Sequence, residues 1–166
     1  MSEIVELEIP ARPDYLSLAR LVITGAATIE PTFSDDRIEN LRVAVSEACT
    51  NAIEAHASAG REQRILIRCD LAEDRIEVAV ADHGGGFDPD AVESAPDPEH
   101  PDRLLFESGL GIPLMRVLVD ETEFQATPSG TVVRLVRGGV IRAPSDGARS
   151  GGVVDKPRRL PLTCPL

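Results

Sequence analysis

Lysine is missing from the first 155 residues, and the single one in the chain is Lys156. That rules out a Gly-Lys-Ser/Thr phosphate loop, so any bound nucleotide would have to be held by a metal ion and backbone dipoles. Cysteine is scarce: Cys49, Cys69 and Cys164 are an odd set without metal-ligand spacing. The set reads as that of a reduced, cytoplasmic protein in which Cys49 and Cys69 act as small apolar residues. No apolar run approaches a membrane span, and the acidic, alternating start MSEIVELEIP does not read as a signal peptide. The expectation is therefore no membrane association. There is no internal repeat.

What is present is negative charge, unevenly placed. The net charge is −11 over 166 residues, but residues 1–137 hold 12 Arg against 26 Asp and Glu, a balance of −14. Residues 138–166 hold 5 Lys and Arg against 2 Asp, a balance of +3. An acidic body repels a phosphate backbone, which excludes direct nucleic-acid binding and suits basic protein partners or plain solubility. Length and 42% hydrophobic content fit one domain with a single core. We place that domain at 1–137, followed by a flexible, mildly basic tail at 138–166 rich in Pro, Gly and Ser.

Alternation over residues 4–9, with Val5, Leu7 and Ile9 on one face, predicts a half-buried strand. Pro13 and Asp14 open a helix with Tyr15, Leu18, Ala19, Val22, Ile23 and Ala26 as its apolar stripe. Ser34 or Asp35 caps a second helix reaching about residue 57, whose core stripe is Ile38, Leu41, Val45, Ala48 and Ala52. A hairpin follows over residues 64–82, with Ile65, Ile67 and Cys69 facing inward beside Ile76, Val78 and Val80. Residues 88–107 lack periodicity and read as a long loop of the lid type. A third helix over about 109–121 tolerates Pro113 only in its first turn. A second hairpin at 123–137 closes the domain. The pattern predicts an α+β fold, a two-layer sandwich of a mainly antiparallel mixed sheet with helices on one face.

Three segments carry chemistry. Glu47 and Asn51 stand one helical turn apart among small residues, so both project from the same face. An amide oxygen suits Mg2+, and a carboxylate within reach can take a proton from a hydroxyl. Taken alone, such a pair is usually just a solvated face. Asp82 leaves an apolar strand into Gly84-Gly85-Gly86, which is either an ordinary turn or an acid placed to accept a hydrogen bond from an adenine amino group. Ser108-Gly-Leu-Gly111 opens a helix, which is either an ordinary start or an anion site of bare N–H groups.

Together and in this order, the segments 43–53, 80–87 and 108–115 resemble the three nucleotide-binding boxes of the GHKL ATPase superfamily. They are most similar to its bacterial anti-sigma factor/serine-protein kinase branch, over residues 4–137. The resemblance implies the Bergerat fold, with ATP and Mg2+ as cofactors. It assigns Glu47 as general base, Asn51 as the Mg2+ ligand and Asp82 as the reader of the adenine amino group. Gly84 and Gly86 would form the base pocket. Ser108, Gly109, Leu110 and Gly111 would shape the lid hinge and phosphate site, with Arg103 as the lid's only cation. Thr131 would support Asp82 through water, and Arg20 would face protein partners.

A Glu at position 47, where sensor histidine kinases carry Asn, implies activation of a hydroxyl or water. The implied function is a serine/threonine kinase that sequesters a sigma factor and phosphorylates a small anti-anti-sigma antagonist. A homodimer through the sheet region is a further expectation. The alternative, from a different class, is a nucleotide-binding regulator that acts by binding alone. His56, His83 and His100 are expected at the surface. Family members often place a histidine at the position of Ala55; at 56 the imidazole is turned about 100° round the helix, away from a phosphate contact.

Overall fold

The computed structural model describes residues 3–59, 64–83, 110–127 and 130–139, with side chains through residue 56 in the first segment. The chain runs β1 (Glu3–Pro10), a 3-10 turn (Pro13–Tyr15), α1 (Leu16–Ile29), α2 (Asp35–Ala59), β2 (Arg64–Ala72), β3 (Arg75–Ala81), α3 (Gly111–Leu118), β4 (Glu121–Thr127) and β5 (Gly130–Gly138). The five strands form one sheet in the order β1-β2-β3-β5-β4, and every pairing is antiparallel. The sheet foreseen as mainly antiparallel is wholly so among the described strands. Strand β5 takes in Gly138, the first residue of the expected tail; the tail beyond residue 139, the turn residues 128–129 and all of the anticipated loop 88–107 lie outside the described residues.

Register explains the layering. The rows Leu7–Ile67–Val80–Val133–Phe124 and Val5–Cys69–Val78–Leu135–Thr122 run across all five strands on one face. Helices α1 and α2 cover that face, and α3 packs on α2 and β4. Ile23, Leu41, Ile65, Ile67, Ile76, Met115 and Leu135 are fully enclosed there. The opposite face carries the alternate residues, where charged side chains stand beside the buried Val132 and Val136. Arg134 donates to both carboxylate oxygens of Glu77 at 2.5 and 2.7 Å and lies 3.6 and 3.5 Å from Glu121 and Glu123. Glu6 accepts from Arg68 in the same cross-strand row.

Helix boundaries follow local chemistry. Ser34 occupies the N-cap position of α2, its carbonyl accepting from the N–H groups of Arg37 and Ile38, and Asp35 and Asp36 complement the dipole. All five residues of the stripe expected on α2 are buried, and Ala44, Cys49 and Ile53 join them. Three expectations need correction. Pro13 starts a short 3-10 turn, and α1 proper begins at Leu16. Leu18 lies on the solvent side of α1, whereas Ala27 is buried. Finally, α3 ends at Leu118, because Val119 and the following acids turn into β4. Burial pushes the thiols of Cys49 and Cys69 up to about 12, so both behave as apolar side chains. No helix among the described residues is long and apolar enough to cross a membrane.

Candidate active site

Helix α2 is the backbone of the site. Glu47 and Asn51 stand half-buried on the side of α2 that receives α3. They meet the first residue of α3, Gly111. A Cβ on Gly111 would lie 3.0 Å from Glu47 Oε2, 3.5 Å from Asn51 Oδ1 and 3.7 Å from its Nδ2. The glycine therefore leaves open the small volume where the carboxylate and the amide converge. A hard cation needs oxygen donors of this kind. Among the described residues there is no group of three or more His, Cys, Asp and Glu that could hold a metal. This donor set fits Mg2+, which characteristically takes one or two protein oxygens and completes its shell with phosphate and water.

The start of α3 suits an anion. Leu114 N–H bonds the carbonyl of Leu110 at 3.0 Å, closing the first turn. The N–H groups of Gly111 and Ile112 are left outside the helical ladder, and Pro113 has none to satisfy. Leu110 precedes this turn and is 46% exposed. Gly84, Gly86, Arg103, Ser108 and Gly109, the remaining residues expected around base and phosphates, lie outside the described residues.

Asp82 sits just past the end of β3 and is only 8% exposed. Its N–H donates to Thr131 O at 2.9 Å, and its Oδ1 accepts from Thr131 N–H at 3.3 Å. Buried Thr131 thus supports Asp82 directly through its main chain, a closer link than the water-mediated one expected. Gly130 allows this approach: a Cβ there would stand 2.6 Å from the Asp82 carbonyl carbon and 2.7 Å from His83 Cα. No side chain fits such a gap.

Arg20 is exposed on α1, and its Nε donates to Ser46 Oγ at 2.8 Å. Ser46 in turn donates to Arg42 O, so a short chain of hydrogen bonds fixes the guanidinium beside the residue preceding Glu47. The neighbouring Leu21 is 69% exposed.

Sequence reasoning missed three participants. Ser46 and Gly130 act through contacts between segments far apart in the chain, and no local pattern marks them. His56 had a signal: it continues the buried α2 stripe four residues beyond Ala52. The expectation of a surface histidine is wrong, since His56 is 2% exposed. Its Nε2 accepts from the main-chain N–H of His83 at 3.3 Å. His83 is exposed, as expected, and His100 lies outside the described residues.

With this geometry established, the sequence matches the family described as Histidine kinase-like ATPase domain over residues 9–137. It is 37% identical over 139 residues to the serine-protein kinase RsbW of Bacillus subtilis, covering 82% of this chain and 86% of that protein. Against the serine-protein kinase RsbW of Bacillus pumilus it is 40% identical over 136 residues, covering 78% and 83%. The protein of the same name from Oceanobacillus iheyensis is 37% identical over 122 residues, covering 72% and 77%.

Proposed function

We propose, from the premise that the chain belongs to the histidine kinase-like ATPase domain family and to the serine-protein kinases within it, that it phosphorylates a small anti-anti-sigma antagonist and sequesters a sigma factor. The observation that carries this reading is the convergence of Glu47 and Asn51 at the side-chain-free first residue of α3.

When bound, Mg2+ and ATP supply the transferable phosphoryl group and the positive charge that balances it. Asn51 would hold the metal, its amide oxygen being a hard-cation donor. Glu47 accepts the proton of the attacking serine or threonine hydroxyl as that oxygen bonds to phosphorus and the bond to the ADP leaving group breaks. Asp82 accepts from the adenine amino group, held at its place by Thr131. By family resemblance, Gly84 and Gly86 are assigned to the base, and Ser108, Gly109, Leu110, Gly111 and the cationic Arg103 to the phosphates. The open first turn of α3 stabilises developing negative charge without a lysine.

Arg20, fixed against Ser46, presents the partner surface, and the acidic body attracts basic segments of that partner. The protein acts in the cytoplasm, and pairing of two copies through the sheet region belongs to the same proposal.

The test is transfer of label from γ-labelled ATP to an antagonist-domain protein. Glu47→Ala is expected to lower the rate by about 10²–10⁴-fold while ATP binding stays within about threefold of wild type. Wild-type protein that binds ATP but labels no antagonist would refute the kinase reading.

A further inference from the structure

His56 is a polar ring in an apolar place. It lies in α2 one residue beyond the reach of a helical turn from Asn51, and it is almost wholly removed from water. The His83 N–H donates to Nε2, so the neutral ring carries its proton on Nδ1. Nδ1 is buried and has no hydrogen-bond partner among the described residues. Burying an unpaired polar atom is unfavourable, and no described residue offsets it at Nδ1. What the ring contributes therefore runs through Nε2 and the peptide between Asp82 and His83.

That peptide is the other half of a clamp. From the β5 side, Thr131 exchanges two hydrogen bonds with Asp82, and Gly130 lies against its carbonyl. From the α2 side, His56 holds the very next N–H. The same helix carries Glu47 and Asn51. The hydrogen bond thus spans the boundary between the residues that handle the base and those that handle metal and proton.

We infer that His56 is a positioning residue for adenine recognition: its neutral imidazole ties the Asp82–His83 peptide to α2 and sets the base-reading carboxylate in register with Glu47 and Asn51. This rests on the reading of Asp82 as the acceptor for the adenine amino group. His56 itself touches neither base nor phosphate in this role.

The clamp is sensitive to protonation. A proton on Nε2 would face the His83 N–H donor to donor, and the bond would be lost. Burial lowers the pKa of His56 from 6.5; the charge of Asp82 raises it, and that of His83 lowers it again. A histidine whose folded pKa is depressed contributes stability that is complete above its unfolded value. That contribution declines as pH falls from about 6.5 through the lower folded value. The preference for adenine is a property of the folded protein and should decline as pH falls through that lower folded value.

The experiment measures equilibrium binding of ATP and of inosine triphosphate, whose 6-oxo group accepts where adenine donates. It is run with Mg2+ at about pH 8 and at a lower pH at which an NMR titration shows His56 of the folded protein protonated. Wild type is expected to favour ATP at the higher pH and to lose roughly fivefold to tenfold of that preference at the lower. His56→Gln, whose amide oxygen can accept from His83 but cannot be protonated in this range, should keep the preference at both. His56→Leu, shown folded by its thermal melt, should lack that fivefold to tenfold at both.

A folded His56→Leu with wild-type preference would overturn the inference, as would a His56→Gln that declines with pH as wild type does. Should His56→Leu not fold, the pH response of His56→Gln decides alone. A preference abolished by Asp82→Ala but indifferent to His56 removes this inference and leaves the reading of Asp82 standing. No preference in wild type, unaltered by Asp82→Ala, removes that reading and the inference with it.

Discussion

Strand β5 ends in glycine at both extremities, and the two glycines live under opposite conditions. At the site end, Gly130 is pressed against the Asp82–His83 backbone through main-chain and carboxylate contacts, beside one short hydroxyl, Thr127 Oγ1 donating to Gly130 O at 3.0 Å. At the far end, a Cβ on Gly138 would make only ordinary contacts, 3.5 Å from Asp120 Oδ2 and 3.9 Å from Asp74 O. Here side chains do most of the holding, beside one backbone bond from Gly139 N–H to Asp74 O at 2.6 Å. Arg37 donates to Gly138 O, and Asp120 accepts from Arg137 at 3.0 Å and from Gly138 N–H at 2.7 Å. Long side chains give their contacts tolerance, because a rotamer change can absorb a displacement. Backbone apposition offers no such slack. The end beside the proposed base site is therefore the rigid one, and the far end of the strand is the adjustable one.

The same substitution at three glycines tests this contrast. Gly130→Ala should be the most damaging. It forces Asp82 and Thr131 apart, costs about 3 kcal/mol, lowers Tm by roughly 10 °C and weakens ATP binding; calorimetry and nucleotide titration would check it. Gly111→Ala comes next and should act on rate rather than on stability. The new methyl displaces the flexible end of Glu47, while alanine's helix propensity offsets the strain. Label transfer should fall by about tenfold to a hundredfold, with Tm within roughly 2 °C of wild type. Gly138→Ala should be the mildest, a stabilisation of about 0.5 kcal/mol from a less flexible unfolded chain, with kinase rate unchanged. Equal losses from Gly130→Ala and Gly138→Ala would dissolve the distinction between the two ends.

Much of this could be read from the chain alone, and the reasons are local. Strands declare themselves through alternation, and the inward row Ile65, Ile67, Cys69 and Ile76, Val78, Val80 is buried as the pattern requires. The α2 stripe has the same clarity, and the spacing of Glu47 and Asn51 fixes their shared face. What escaped depends on contacts across the fold. Nothing in residues 121–138 says that β5 inserts between β3 and β4, so the partnership of Asp82 with Gly130 and Thr131 was reachable only through resemblance. His56 was misjudged because residue type was weighed above position. An imidazole is usually wet, but the helical phase from Ala52 had already placed it inside.

The strand order has a consequence for biosynthesis. Because β5 is the last strand made yet lies between β3 and β4, the nascent chain carries β3 with an open edge until residue 138 has emerged. The β4–β5 hairpin can form by itself, but its docking joins segments about fifty residues apart in sequence, a slow class of event in which loop closure precedes any reward. Asp82 waits for Thr131. A chain stalled or cleaved before the final strand would thus hold Glu47 and Asn51 on a finished helix without a completed purine site, so truncation by the ribosome or a protease should yield an inert fragment rather than an unregulated kinase.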